Sequence, residues 1–257
     1  MTDMQVRHAE LRLDRTLGEL SDAFRGATAH PEESNCACHW GGAEELALLK
    51  TPDVQLDPAL LRRTCQAADW SDHGAVLRRI LPQLARAVVE SPGESFPYWD
   101  EIGVFLSRGR WQDWPREQAA VVREFLLAFW ARSLVTSDPA AQTHTHTHQA
   151  LVLCVEASGE LSPWLDIWER TEHATADRRL AEAVDAWDYD LLVDRLPWST
   201  WHDEDDLVAV LTAWLTRHAP ARLRAHNASD SLLQRLRLIG LTGDARWDDP
   251  HWPPYTY

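Results

Sequence analysis

An all-α fold follows from three features of this 257-residue sequence: its residue choice, its scarce glycine and its apolar spacing. Ala, Leu, Arg and Glu dominate, and these are good helix formers. Glycine numbers only 11 and β-branched runs are rare, so the punctuation of an all-β chain is missing. Hydrophobic residues make up 45%, which excludes a mainly disordered protein and supplies material for a core.

The elements follow in chain order. Residues 3–26 carry a stripe of Val6, Leu11, Leu13, Leu17, Leu20 and Phe24, with Gly26 placed to end the helix. Residues 29–42 break the pattern and contain Cys36-Ala-Cys38-His39-Trp40. A short helix at 44–50 precedes Asp57-Pro58, a start signal because Asp caps and Pro suits the first turn. Ser71-Asp72 opens a stronger helix with Val76, Leu77, Ile80, Leu81, Leu84, Ala85, Val88 and Val89 on one face. Pro82 inside it is expected to kink it or split it in two.

Residues 98–106 read as a short helix. Residues 115–135 form the clearest one, with Val122, Phe125, Leu126, Phe129 and Trp130 as its buried stripe. Residues 136–148, where Thr and His alternate, read as a linker, with 143–148 mobile or the irregular start of a helix. Helices are expected at 150–157, 163–170 and 176–196, the last carrying Leu180, Ala183, Val184, Trp187 and Leu191. Two more span 205–218 and 231–239, with room for a short one between them, and the tail from Gly243 reads as irregular but packed down. Together these predict one all-helical domain over 1–257, with 1–135 and 149–257 as candidate subdomains joined by 136–148. The architecture is an irregular α-α superhelix or multi-helix bundle, only weakly HEAT-like because no fixed repeat emerges.

The motifs also carry a resemblance. Cys36-Ala-Cys38-His39-Trp40, Asp69-Trp70-Ser71-Asp72, Leu77-Arg78-Arg79-Ile80-Leu81-Pro82-Gln83-Leu84 and Trp111-Gln112-Asp113-Trp114-Pro115 occur in that order, before a helix ending Leu127-Ala128-Phe129-Trp130. This is similar to an uncharacterised family of bacterial all-helical proteins with a Cys-rich loop, an "FLPRLLEL"-like helix and a "WxxWP" helix start. Leu161-Ser162-Pro163-Trp164-Leu165-Asp166-Ile167-Trp168 and the late Trp214-Leu215 resemble it more weakly. The resemblance implies that both halves belong to one unit, and it supplies no activity.

Forty acidic side chains against 25 basic ones give a formal net charge of −15. Such a field repels a phosphate backbone and an anionic membrane surface, and it attracts basic partners. Residues 1–135 carry 20 acidic and 15 basic side chains and residues 136–257 carry 20 and 10, so the second half holds most of the excess. Lys50 is the one lysine, a bias the sequence alone assigns to a GC-rich genome. No apolar run approaches the ~20 residues of a membrane span. The charged N-terminus lacks a signal-peptide apolar region, and four cysteines make no disulfide framework. The cytoplasm is the expected compartment.

Cys36-x-Cys38-His39 is the sharpest local feature, because thiolate and imidazole are the ligands zinc prefers. His30, Cys65 or His73 would have to supply a fourth ligand, and no second knuckle is present. A metal-free loop packed against the helices around 58–90 is the default, with zinc or thiol redox chemistry as alternatives. His144, His146 and His148 alternate with Thr, which permits metal binding without requiring it. His202-Asp203 has the form of a metal-binding His-Asp pair, with His173 and Asp230 as conceivable partners. Asp203, Glu204, Asp205 and Asp206 fall where a helix begins, however, and capping explains them better. Fourteen tryptophans read one by one as core, among them Trp70, Trp99, Trp111, Trp187 and Trp247 beside carboxylates. An exposed one among acidic side chains would suit a basic partner. No GxSxG, P-loop, HExxH or GxGxxG motif occurs.

The sequence thus points to a non-catalytic acidic helical protein that docks a partner protein with a basic surface, binding neither nucleic acid nor membrane. Residues 203–206 are its candidate contact, and a cytoplasmic immunity protein that neutralises a toxin is its most concrete form. The alternative is a metal- or thiol-dependent enzyme centred on Cys36, Cys38 and His39.

Overall fold

The computed structural model describes residues 2–36, 40–90, 99–136 and 145–252. Among the described residues the chain forms twelve α-helices and no strand. They are α1 (Thr2–Ala23), α2 (Ala43–Leu49), α3 (Pro58–Gln66), α4 (His73–Glu90), α5 (Trp99–Arg108), α6 (Arg116–Val135), α7 (Thr145–Ser158), α8 (Ser162–Arg170), α9 (Ala174–Leu192), α10 (Glu204–Ala225), α11 (Asp230–Ile239) and α12 (Asp244–Trp247). A single 3-10 turn, Trp111–Asp113, separates α5 from α6. The all-α prediction holds. Helix lengths from 4 to 22 residues do not recur as a repeating pair, and a HEAT-like repeat is not confirmed. The chain divides into two compact units, residues 1–133 with 149–159, and 134–148 with 160–257.

In the first unit α1, α2, α3 and α5 all pack on α4. Val76, Leu77, Ile80, Leu81, Leu84, Ala85 and Val88 form the buried face of α4, and each such side chain contributes about 1–3 kcal/mol by leaving water. The expected split at Pro82 does not occur, since α4 runs unbroken for 18 residues. Proline removes one backbone hydrogen bond, and the apolar residues buried on both sides of it outweigh that loss. At Gly103 α5 lies too close to α7 for any side chain. A Cβ there would stand 2.7 Å from Glu156 Cβ and 2.8 Å from the Leu153 carbonyl oxygen.

One side chain of α4 fixes the loop before α3. Arg79 is buried and donates to the carbonyls of Leu48 (3.2 Å), Thr51 (3.1 Å) and Val54 (2.6 Å). One turn later Gln83 donates to the same Val54 carbonyl (3.0 Å) and accepts the Leu56 N–H (2.9 Å). Carbonyls from the last turn of α2 and the loop after it are thus gathered onto α4.

The second unit repeats the device. On α10, Arg222 donates to the Trp168 and Thr171 carbonyls at the end of α8 and pairs with Asp177 of α9 at 2.5 Å. On α12, Arg246 donates to Leu192 O (2.7 Å) at the end of α9 and to Leu241 O (2.5 Å) after α11, and pairs with Asp194 at 2.9 Å. Helix α10 also outruns its predicted end. It passes through Pro220 to Ala225, because Ala219 and Leu223 are fully buried on either side. Helix α9 instead stops early, at Leu192, where Asp194 takes a left-handed conformation (φ 55°). The tail that was read as irregular contains the short α12.

Of the segment read as a linker, the described part is a helix start, one of the two forms expected for 143–148. Residues 145–148 form the first turn of α7, Thr147 is buried, and His148 Nδ1 accepts the Trp187 indole N–H at 2.9 Å. The ring of His148 also packs on Trp198, with centroids 5.9 Å apart. An aromatic anchor on His148 is therefore what the sequence pattern concealed. Residues 137–144, His144 among them, lie outside the described residues.

Replacing Arg246 by Lys keeps the charge but reduces the donors from a planar fork to a single ammonium. Denaturant unfolding should register a loss of about 2–3 kcal/mol, while Lys at the exposed Arg224 changes stability by less than about 0.5 kcal/mol. Equal, small effects at both positions would show that the carbonyl contacts carry little of the stability.

Candidate docking surface

Most of the tryptophans singled out by sequence are core: Trp70, Trp99, Trp111 and Trp187 are all buried, and Trp247 is half exposed. The outlier is one the sequence reading passed over. Trp201, 79% exposed, is the most exposed large apolar side chain among the described residues. It stands two positions before the acidic run of residues 203–206. Its signal was visible as adjacency alone, because Trp198 three residues earlier is the same residue type and points the other way.

The loop between α9 and α10 explains this placement. Arg246 holds its start through Leu192 O and Asp194. Leu196 is buried, and its N–H donates to Glu204 Oε1 at 3.1 Å, which ties the loop back to the first turn of α10. Trp198 packs against Trp187 with centroids 6.2 Å apart. The His202 N–H then donates to Thr200 Oγ1 at 3.1 Å. Anchored on both sides, the loop pushes Trp201 outward.

The acidic run serves two purposes. Asp203 is the N-cap of α10, its carboxylate accepting the Asp206 N–H at 3.2 Å, as the capping reading expected. Glu204 binds the loop. Asp205 and Asp206 are exposed, and among the described residues neither side chain makes a hydrogen bond or ion pair. Carboxylates in a first helical turn are favoured by the helix dipole, and these two also remain open to a cation. The arrangement offers an amphipathic ring beside uncommitted negative charge, which can recognise a positively charged, partly apolar surface.

The metal readings fare differently. His173, proposed as an upstream ligand for His202-Asp203, is the N-cap of α9, where its Nδ1 accepts the Thr175 N–H at 3.2 Å. Asp203 is likewise committed to its cap, and Asp230 is simply the first residue of α11. No group of three or more His, Cys, Asp or Glu side chains able to hold a metal occurs among the described residues.

Cys38 and His39 of the candidate zinc loop lie outside the described residues, and Cys36 is exposed. The flanks of that loop do pack on the 58–90 region. Glu33 is buried and accepts the Ser71 and Asp72 N–H groups at 2.9 Å each, and Trp40 donates to Thr64 Oγ1 at 3.2 Å. Of the fourth-ligand candidates, His30 accepts the Glu32 N–H. Cys65 is buried on α3 with its thiol pushed far up by burial, which makes it inert at neutral pH. His73 opens α4. Burial, with the cation of Arg108 beside it, lowers its pKa from the ordinary 6.5.

Two outcomes follow. Asp203→Ala should cost about 1 kcal/mol of stability as a lost cap, whereas Asp205→Asn with Asp206→Asn should stay within about 0.5 kcal/mol of the parent. For His73 the folded state favours the neutral ring, so below pH 6.5 the unfolded chain binds a proton that the folded chain refuses. Stability therefore falls as pH drops from 6.5 towards the lowered folded value and then levels. In thermal unfolding across that window His73→Asn should show the shallower slope; identical slopes would remove His73 from the pH dependence.

No protein-family model, curated protein or solved structure matches the chain, so the resemblance to the helical bacterial family rests on its motifs alone.

Proposed function

We propose that this protein is a non-catalytic, acidic helical module that docks a partner protein through a basic surface of that partner. The observation that carries the reading is Trp201, exposed at 79%, beside the exposed carboxylates of Asp205 and Asp206. Tryptophan is the residue type most enriched at the energetic centres of interfaces, and exposing it without a partner leaves a large apolar area in water. The net charge of −15 supplies the long-range half of the recognition by steering a cationic partner. No helix among the described residues is long and apolar enough to cross a membrane. The most concrete form of the reading is an immunity protein that neutralises a toxin by covering its active site, an analogy of size and charge.

The test uses paired baits. Parent protein and a variant with Trp201→Ala, Asp205→Asn and Asp206→Asn are immobilised side by side, and binding kinetics of whatever only the parent captures are measured at low and high salt. Trp201→Ala alone should weaken binding by about 2 kcal/mol, mostly through the off-rate. The Asp changes should lower the on-rate, and that effect should fade at physiological salt, where the Debye length is about 8 Å. A partner held equally by both baits, or an on-rate indifferent to salt, would sink the proposal.

A further inference from the structure

The first unit contains an open groove of about 540 Å³, with the first two turns of α4 on one side and the turn leading from α5 to the 3-10 turn on the other. Its geometry depends on Gly109. A Cβ there would fall 2.3 Å from Leu77 Cδ2, so glycine lets this turn lie against α4 without displacing the Leu77 side chain. Arg108 and Arg110 consequently flank a point of contact with α4, and Arg78, one residue beyond Leu77, completes the cationic lining.

Arg78 is held in place by neutral groups. Its guanidinium carbon lies 4.2 Å from the centroid of Trp114, and its Nε donates to Gln118 Oε1 at 3.2 Å. Trp114 in turn donates to the Gly109 carbonyl at 3.0 Å. The two carboxylates in the lining are already engaged: Asp113 pairs with Arg110 at 2.6 Å, and Asp72 caps the Ala75 N–H at 2.8 Å. That leaves Arg78 and Arg108 without an ion pair among the described residues. In a chain with 40 acidic and 25 basic side chains, cations should be the scarce partner. The groove therefore presents the guanidiniums of Arg78 and Arg108 beside two carboxylates that other groups already hold. The start of α4 is not itself the attraction, because the Glu33 carboxylate already occupies the Ser71 and Asp72 N–H groups. The pKa of His73 is lowered by burial and then by the Arg108 cation, while the carboxylates of Glu33 and Asp72 work against that shift.

We propose that this groove binds a small oxyanion, a phosphate or phosphate monoester, through the guanidiniums of Arg78 and Arg108. Guanidinium forks match the oxygen spacing of phosphate, and a dianion satisfies two of them where a single carboxylate satisfies one. The groove volume falls within the ~300–1,000 Å³ of small-molecule sites and exceeds what a bare anion needs, which leaves room for an organic remainder. The site is independent of the docking loop and survives or fails separately from it.

Calorimetric titration of the full chain with inorganic phosphate, at ionic strength held constant with sodium chloride, tests the proposal. Saturable binding to one site is expected. Arg108→Gln, at an exposed position that should not disturb folding, should weaken it about tenfold or more. Arg108→Lys, which retains charge and loses the fork, should fall between. Arg224→Gln, an exposed cation of the second unit, should leave it unchanged. A second titration with glycerol 3-phosphate separates the two sources: tighter binding than phosphate identifies a monoester, and equal binding identifies the free ion. Absence of saturable heat, unaltered binding in Arg108→Gln, or the same loss in Arg224→Gln would overturn it.

Discussion

Guanidiniums that collect backbone carbonyls in and just beyond helix ends tie helices together within each unit. An α-helix leaves its last carbonyls without an internal partner, and a short helix that ends inside a packed unit cannot leave them to water. Arg79, Arg222 and Arg246 each reach two or more backbone carbonyls in or just after a helix end from a different helix. Burial draws the Arg79 guanidinium below its usual pKa, and the nearby charge of Asp53 works against that shift. Arg79 meets three carbonyls and, among the described residues, no carboxylate at ion-pair distance, so its desolvation is offset by carbonyl dipoles together with the nearby charge of Asp53. Lysine could not substitute, since an ammonium offers no planar fork and loses its proton more readily when buried. The near-absence of lysine, whatever its genomic origin, is at these positions a structural necessity.

Tryptophan performs the complementary task in the core. Its bulk fills the space between helices, and its single N–H is given to a nearby backbone oxygen: Trp70 to Thr64, Trp111 to Ala157, Trp168 to Ala176. In the second unit the rings of Trp198, Trp187, Trp168 and Trp214 follow one another at centroid spacings of 5.8–6.3 Å, ending on His218. The chain of rings is not fully satisfied. The indole N–H groups of Trp198 and Trp214 are buried without an acceptor, a cost of about 1–3 kcal/mol each. Ring packing in a large apolar cluster outweighs it.

Periodicity revealed the helices because an apolar stripe is a local property, and α4, α6 and α9 sit close to where their stripes placed them. What it could not reveal was tertiary. Helices α4 and α10 run through Pro82 and Pro220 because residues on both sides are buried against other elements. Residues 145–148 look like low-complexity polar sequence, yet His148 is anchored by Trp187, 39 positions away. The loop between α9 and α10 shows the limit most sharply. Trp198 and Trp201 are chemically identical and three residues apart, and only the contact of Leu196 with Glu204 and the ring packing of Trp198 determine which is turned out. The acidic run was legible as a helix start. Its division into a cap, a loop tie and two uncommitted carboxylates was not.

The same arginine economy shapes the outer surface. A guanidinium that spends its hydrogen bonds on backbone carbonyls keeps its charge, but it pairs with fewer carboxylates, and with 40 acidic residues to 25 basic ones many carboxylates already lack a partner. The general negative field follows from that imbalance of charged side chains. Such a field is weak evidence for any particular partner. Local departures from it are stronger evidence, because the architecture does not account for them. An exposed indole a few residues before Asp205 and Asp206 is one such feature, and the guanidiniums of Arg78 and Arg108, without an ion pair among the described residues, are the other. On the docking proposal the first would take a cation with apolar surface, and on the groove proposal the second would take an anion, so the two can be tested with ligands of opposite charge.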